Sequence, residues 1–185
     1  AGMPSDILGH LKAFPKDAPP MATLSSLISV LATHNTDDLG VAVEGESFTR
    51  PLYTIMAQVL ELAAGQYRVN LGKEPNAYNP DLSYAANFMH LMFSEPGQPY
   101  EVLPAVEKAM DLFLILHADH EQNCSTSTVR IVGSSQSNLF SSVSAGVGAL
   151  WGPLHGGANC EVIKMLNSCL LYTADAADEQ FGVEL

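Results

Sequence analysis

The chain has 185 residues, 47 % of them hydrophobic and 15 % charged, and a formal net charge of −12. That balance excludes a nucleic-acid binder, which needs a basic face, and no run of about eighteen apolar residues is present to cross a membrane. Three cysteines without framework spacing, and a start lacking the charged-then-apolar pattern of a secretory signal, point to a reducing, cytoplasmic setting.

Period-2 alternation is nearly absent and helical periodicity dominates, so the expected fold is all-α, without a sheet. Residues 4–14 read as a short helix, broken by the prolines of 15–20. Residues 21–34 form an apolar helix with small side chains, and 35–46 a polar loop rich in Asp and Gly. A long helix follows over 48–71, softened at Gly65, then a Pro/Asn loop over 72–80. Residues 81–93 make a helix with Asp81 as its cap. In it Phe88, Met89, Met92 and Phe93 fall at core spacing. After a turn at 94–99, residues 100–117 are helical with Pro104 in the first turn. Two more helices occupy 122–132 and 137–150. The second carries Ser141-Ser142-Val143-Ser144-Ala145-Gly146-Val147-Gly148-Ala149. Glycine costs a helix about 1 kcal/mol against alanine, so close packing must hold this one, either inside the subunit or at a contact between subunits.

Two stretches carry candidate chemistry. In Gly152-Pro153-Leu154-His155-Gly156-Gly157-Ala158-Asn159 a histidine sits on a Pro/Gly turn, ahead of a helical pattern over 161–166. The glycines allow a ligand close to the backbone, and a helix start offers unpaired N–H groups and a positive field. Such a field keeps an imidazole neutral, and a neutral ring N–H aimed at a carbonyl oxygen stabilises an enol or enolate. The plain alternative is a turn with a helix cap. The other stretch is His117-Ala118-Asp119-His120-Glu121-Gln122-Asn123, which ends an apolar helical run. His117 and His120 are three apart and share a helix face. A helical zinc pair is normally four apart and needs a third ligand. Cys124 and Cys160 have no C-x-x-C spacing, so no metal is expected. The histidines could equally be structural, capping carbonyls at a helix end.

Together these stretches carry a family resemblance. The run His117-Ala118-Asp119-His120-Glu121-Gln122-Asn123-Cys124-Ser125-Thr126-Ser127-Thr128-Val129-Arg130 resembles the central segment of citrate synthases, especially the bacterial hexameric type. Leu150-Trp151-Gly152-Pro153-Leu154-His155-Gly156-Gly157-Ala158-Asn159 follows at fitting spacing, and Asn79-Pro80-Asp81-Leu82-Ser83-Tyr84-Ala85-Ala86-Asn87-Phe88 precedes it. The 2-methylcitrate synthases share much of this pattern. The resemblance spans residues 4–166 and implies a citrate synthase-like helical large domain over 1–166, incomplete and with the small domain missing.

The implied activity is that of an acyltransferase at the entry to the tricarboxylic acid cycle. Acetyl-CoA, oxaloacetate and water give citrate and CoA without a cofactor. The resemblance makes His155 the donor to the thioester carbonyl. It puts His120 and Asn123 on oxaloacetate, His117 behind them orienting the helix end, and the backbone of Leu154, Gly156 and Gly157 on the CoA side. It further implies self-association through helices near 21–34, 48–71, 122–132 and 137–150. The family's Gly-x-Gly-His-Arg segment, its carboxylate base and its substrate-clamping arginines have no counterpart here, so the chain alone is expected to be inactive. Thr54 and Gln58 stand where some bacterial members carry basic residues for NADH, so that regulation is not expected. Residues 167–185 resemble translated sequencing-adapter read-through and are expected to be a tail foreign to the family. The competing reading is a non-catalytic helical self-association module with structural histidines.

Overall fold

The computed structural model describes residues 3, 4, 6–35 and 46–181; for Leu8, for 46–48 and for 170–181 only the backbone is described. Among the described residues there are eight helices and no strand: α1 (Ile7–Ala13), α2 (Pro20–Leu31), α3 (Glu46–Asn70), α4 (Tyr84–Phe93), α5 (Pro104–Leu116), α6 (Cys124–Ser134), α7 (Leu139–Leu150) and α8 (Gly157–Phe181). The all-α expectation holds. The polar loop expected over 35–46 lies outside the described residues except for Asn35 and for Glu46, which opens α3.

Several ends differ from those read in the sequence. Residues 32–34 leave α2 as a turn, and the Asn35 side chain donates to the Leu31 carbonyl to close the helix. Helix α3 runs through Gly65 without a break. A Cβ there would lie 3.2 Å from Leu11 Cδ1, so this glycine makes room for α1 rather than ending a helix. Helix α4 is capped by Ser83, whose Oγ accepts from the Ala86 N–H at 3.1 Å. Asp81 sits in the preceding turn, donating its own N–H to Asn79 Oδ1. Helix α5 starts at Pro104 instead of residue 100, because a ring without an N–H fits the first helical position.

The main core joins α1, α2, α3 and α7 through Ile7, Leu11, Leu27, Ile28, Leu31, Ile55, Leu62 and Phe140. Each such side chain contributes roughly 1.5–3 kcal/mol by leaving water. A second cluster, Leu60, Ala64 and Leu91, joins α3 to α4. Of the expected α4 core residues, Phe88 and Met92 pack against it, while Phe93 is 41 % exposed and meets Tyr67 edge to face.

Helix α7 lies between α2 and α6. Its small side chains permit this: Ser25 Oγ donates to the Ser144 carbonyl at 2.9 Å, and Ser144 Oγ donates back to the Ser25 carbonyl at 2.8 Å. Phe140, Ser142, Ser144 and Gly146 are buried within this one chain. By contrast no residue of α5 is buried, and the described α8 side chains from Ala158 to Cys169 are all exposed. The boundary expected between residues 166 and 167 falls inside α8.

Candidate active site

Four helix ends surround one cavity of about 690 Å³: the end of α5, the start of α6, the end of α7 and the start of α8. His117, His120, Asn123 and His155 all line it, together with Ser125, Thr126 and Asn159. Residues 38 positions apart in the chain are thus brought together, counted from His117 to His155 (155 − 117).

His117 is the C-cap of α5. Its Nδ1 lies 2.7 Å from the Phe113 carbonyl, which can only accept, so Nδ1 carries a proton. The ring lies against Phe113 at 4.2 Å and meets His120 edge-on at 6.1 Å. The chain then reverses. Asp119 Oδ1 accepts from the Glu121 N–H at 2.8 Å, and Glu121 adopts a left-handed φ of 56°. This turn delivers Asn123 as the N-cap of α6, with its Oδ1 accepting from the Thr126 N–H at 2.9 Å. The Asn123 oxygen is therefore committed to the helix, and the amide NH₂ is the group left to offer a ligand.

His155 sits in the turn between α7 and α8, its own N–H bonded to the Gly152 carbonyl at 3.0 Å. Its Nε2 meets Ser125 twice, at 2.7 Å from Oγ and 3.3 Å from the backbone N–H. Ser125 is the second residue of α6, so that N–H is one of the donors a helix leaves without an internal partner. A backbone N–H only donates. With that N–H donating, Nε2 accepts, the ring proton sits on Nδ1, and the Ser125 hydroxyl proton turns to the ring. The ring also faces the start of α6, whose positive end lies beside it in addition to the start of α8 at Gly157. The serine hydroxyl also lies 2.9 Å from the Gly146 carbonyl.

Leu154, Gly156 and Gly157 do not line this cavity. Leu154 is fully exposed, and Gly157 opens α8. Gly156 is required by its own turn: a Cβ there would stand 2.1 Å from the Leu150 carbonyl oxygen. The sequence reading missed Ser125. Four consecutive Ser and Thr residues follow Cys124, and nothing in their order marks the one that faces His155 across the fold. No carboxylate lines the cavity, and no group of three His, Cys, Asp or Glu is arranged for a metal among the described residues.

A family profile described as citrate synthase, C-terminal domain, matches residues 1–178. The citrate synthase of Corynebacterium glutamicum is 48 % identical over 163 residues, 87 % of this chain and 37 % of that protein. Citrate synthase 1 of Mycobacterium tuberculosis is 45 % identical over the same share of each. The crystal structure of citrate synthase from Pyrobaculum aerophilum superimposes with a TM-score of 0.75 at 31 % identity, covering 88 % of this chain and 41 % of that one. The chain thus spans well under half the length of the relatives it matches. Its sequence, its helical fold and the histidines gathered at its four helix ends agree: the chain belongs to the citrate synthase family.

Proposed function

We propose that this chain carries the oxaloacetate- and thioester-facing half of a citrate synthase active site. In that reading His155 gives a hydrogen bond from Nδ1 to the acetyl-CoA carbonyl oxygen. A carboxylate base removes a methyl proton, and charge developing on the oxygen is stabilised by the ring N–H. The enol carbon attacks the oxaloacetate ketone, and water then cleaves the citryl thioester to citrate and CoA. His120 and the Asn123 amide hold oxaloacetate. His117, tied to the end of α5, sets the position of His120. The backbone of Leu154, Gly156 and Gly157 lies toward CoA. The reaction needs no cofactor, and a cytoplasmic setting belongs to the same reading.

One observation carries this proposal: the Ser125 N–H meets His155 Nε2 at 3.3 Å, so the ring is oriented as a donor through Nδ1. The test is calorimetric titration of oxaloacetate into the chain. Measurable binding, weakened at least about tenfold by His120→Ala, the loss of roughly one charge-assisted hydrogen bond, is expected. Equal affinity in both forms would overturn the assignment. A thiol-release assay with acetyl-CoA, and in parallel with propionyl-CoA for 2-methylcitrate chemistry, tests the second half. With no carboxylate lining the cavity among the described residues, the chain alone is expected to give no significant turnover. Turnover in the ordinary enzyme range of about 1–1000 s⁻¹ would contradict that.

Self-association through α2, α3, α6 and α7 belongs to the same proposal. Leu52, Tyr53 and Met56 on α3 and Ile131 on α6 are exposed apolar side chains that such a contact would cover.

A further inference from the structure

Gly146 lies within α7 and does not line the cavity that holds His155. It nonetheless touches what holds that ring. Its carbonyl lies 2.9 Å from Ser125 Oγ, and the same Oγ lies 2.7 Å from His155 Nε2. A Cβ at position 146 would stand 2.5 Å from Val129 Cγ2 and 3.5 Å from the Ser125 carbonyl oxygen. Val129 is β-branched and on a helix, so it has one strongly favoured rotamer and little room to yield. Any side chain at 146 therefore drives α6 away from α7 at the turn that carries Ser125.

We propose that Gly146 is a positioning residue: by lacking a side chain it lets α6 approach α7 closely enough for Ser125 to hold His155 with its proton on Nδ1. The competing tautomer, with the proton on Nε2, would point N–H at N–H across the 3.3 Å gap between Ser125 and the ring. Near contact between the two helices makes that arrangement unfavourable, and moving α6 away from α7 weakens the penalty. The hydroxyl accommodates either state, since its single proton can turn to Gly146 or to the ring. The backbone N–H cannot turn, and its position is what the helix contact sets. The consequence for acyl transfer rests on the role proposed for His155, but the coupling itself does not.

A glycine that only packs would affect stability alone. Alanine at a mid-helix position favours the helix, so Gly146→Ala separates propensity from positioning. The experiment is nitrogen-15 NMR of the His155 ring in the whole chain, reading the tautomer of the neutral ring. The native chain is expected to show Nε2 unprotonated. Gly146→Ala is expected to raise the Nε2–H form roughly tenfold, the factor an ordinary hydrogen bond supplies. Adding Val129→Ala, which removes the colliding methyl groups, is expected to restore the native signature. An unchanged tautomer in folded Gly146→Ala, or no restoration in the double variant, overturns the proposal. Should Gly146→Ala not fold, Val129→Leu crowds the same contact from α6 with a more flexible side chain. A native signature in that variant overturns the proposal equally, and a raised Nε2–H form supports it. Because the readout is a tautomer rather than turnover, failure of the acyl-transfer reading would leave this result intact.

Discussion

Arg68 is a fully buried guanidinium that donates to carbonyl oxygens, with the Glu95 carboxylate 3.7 Å from Nη1. Nε donates to the Glu74 carbonyl at 2.7 Å, and Nη1 donates to those of Ser94 at 2.8 Å and Met92 at 3.4 Å. Asn76 adds donors to the carbonyls of His90, Leu91 and Ser94. Together they satisfy the end of α4, where a helix leaves carbonyls unpaired and welcomes positive charge. Arg68→Met leaves these acceptors buried and is expected to cost about 3 kcal/mol in a urea titration. Arg68→Lys should recover little, because one ammonium cannot reproduce the planar fork. A second residue gives a pH signature. Burial holds the Glu61 carboxyl above its ordinary value of 4.5, against an opposing hydrogen bond from the Met3 backbone. The native chain then takes up that proton more readily than the unfolded chain, so the ionised group costs stability above the raised value. That cost disappears as pH falls below 4.5. Glu61→Gln is accordingly expected to raise the thermal midpoint at pH 7 and to change nothing near pH 4. Glu95 runs the other way. The Lys73 hydrogen bond leads in holding its carboxyl low, so what it contributes is present above 4.5 and fades as acid protonates it. Nothing in the order of residues along the long helix over 48–71 marks Arg68 or Glu61 for these roles, because each depends on contacts with distant parts of the chain.

At the scale of elements, apolar periodicity was enough to place the helices, and capping decided their ends. Asp81 and Ser83 both lie near the start of α4, and either side chain could cap it. The Asn79 turn occupies Asp81 and leaves Ser83. Gly65 read as a weak point because propensity penalises glycine, yet α1 needs the space its absent side chain provides. The histidine cluster was legible because His117, His120 and Asn123 share one helix-turn-helix stretch. Ser125 was not, since its contact with His155 spans 30 residues. Asn123 shows how an element and a site use one side chain. Its Oδ1 caps α6 while its NH₂ remains for a ligand. Asn123→Ala should lower stability by about 1 kcal/mol, the usual worth of a cap, and weaken oxaloacetate binding as well. Asn123→Asp keeps the cap oxygen but replaces the donor with negative charge. It is expected to melt like the native chain in calorimetry while losing oxaloacetate affinity. Equal binding by the Asp form would remove Asn123 from the proposed site.

The whole molecule is apolar on its outside in a patterned way. On α5, Leu112, Phe113, Ile115 and Leu116 are exposed, Leu116 by 71 %. On α8, Val162, Ile163, Met165 and Leu166 are exposed as well. A helix packed on one side shows an apolar stripe toward the core and a polar face outward. These two helices instead carry apolar side chains on the side that faces solvent. Surfaces of this kind mark places where protein meets protein, which accords with the low charged fraction of 15 %. Two surfaces therefore compete to cover themselves in solution: α5 with α8, and the exposed side chains of α3 and α6. Light scattering separates them. Ile115→Lys with Leu116→Lys removes apolar surface that makes no buried core contact, so the thermal midpoint should hold within the roughly 0.5 kcal/mol typical of surface changes. If the proposed four-helix contact forms the oligomer, this pair leaves the particle mass unchanged and only slows aggregation. Leu52→Lys with Met56→Lys on α3 should then halve the mass at the same protein concentration. The reverse pattern, with mass falling for the α5 pair and standing for the α3 pair, would transfer the interface to α5 and refute association through α2, α3, α6 and α7. The net charge of −12 sharpens the contrast, because each added lysine lowers overall repulsion, and a fall in mass can then come only from lost apolar contact.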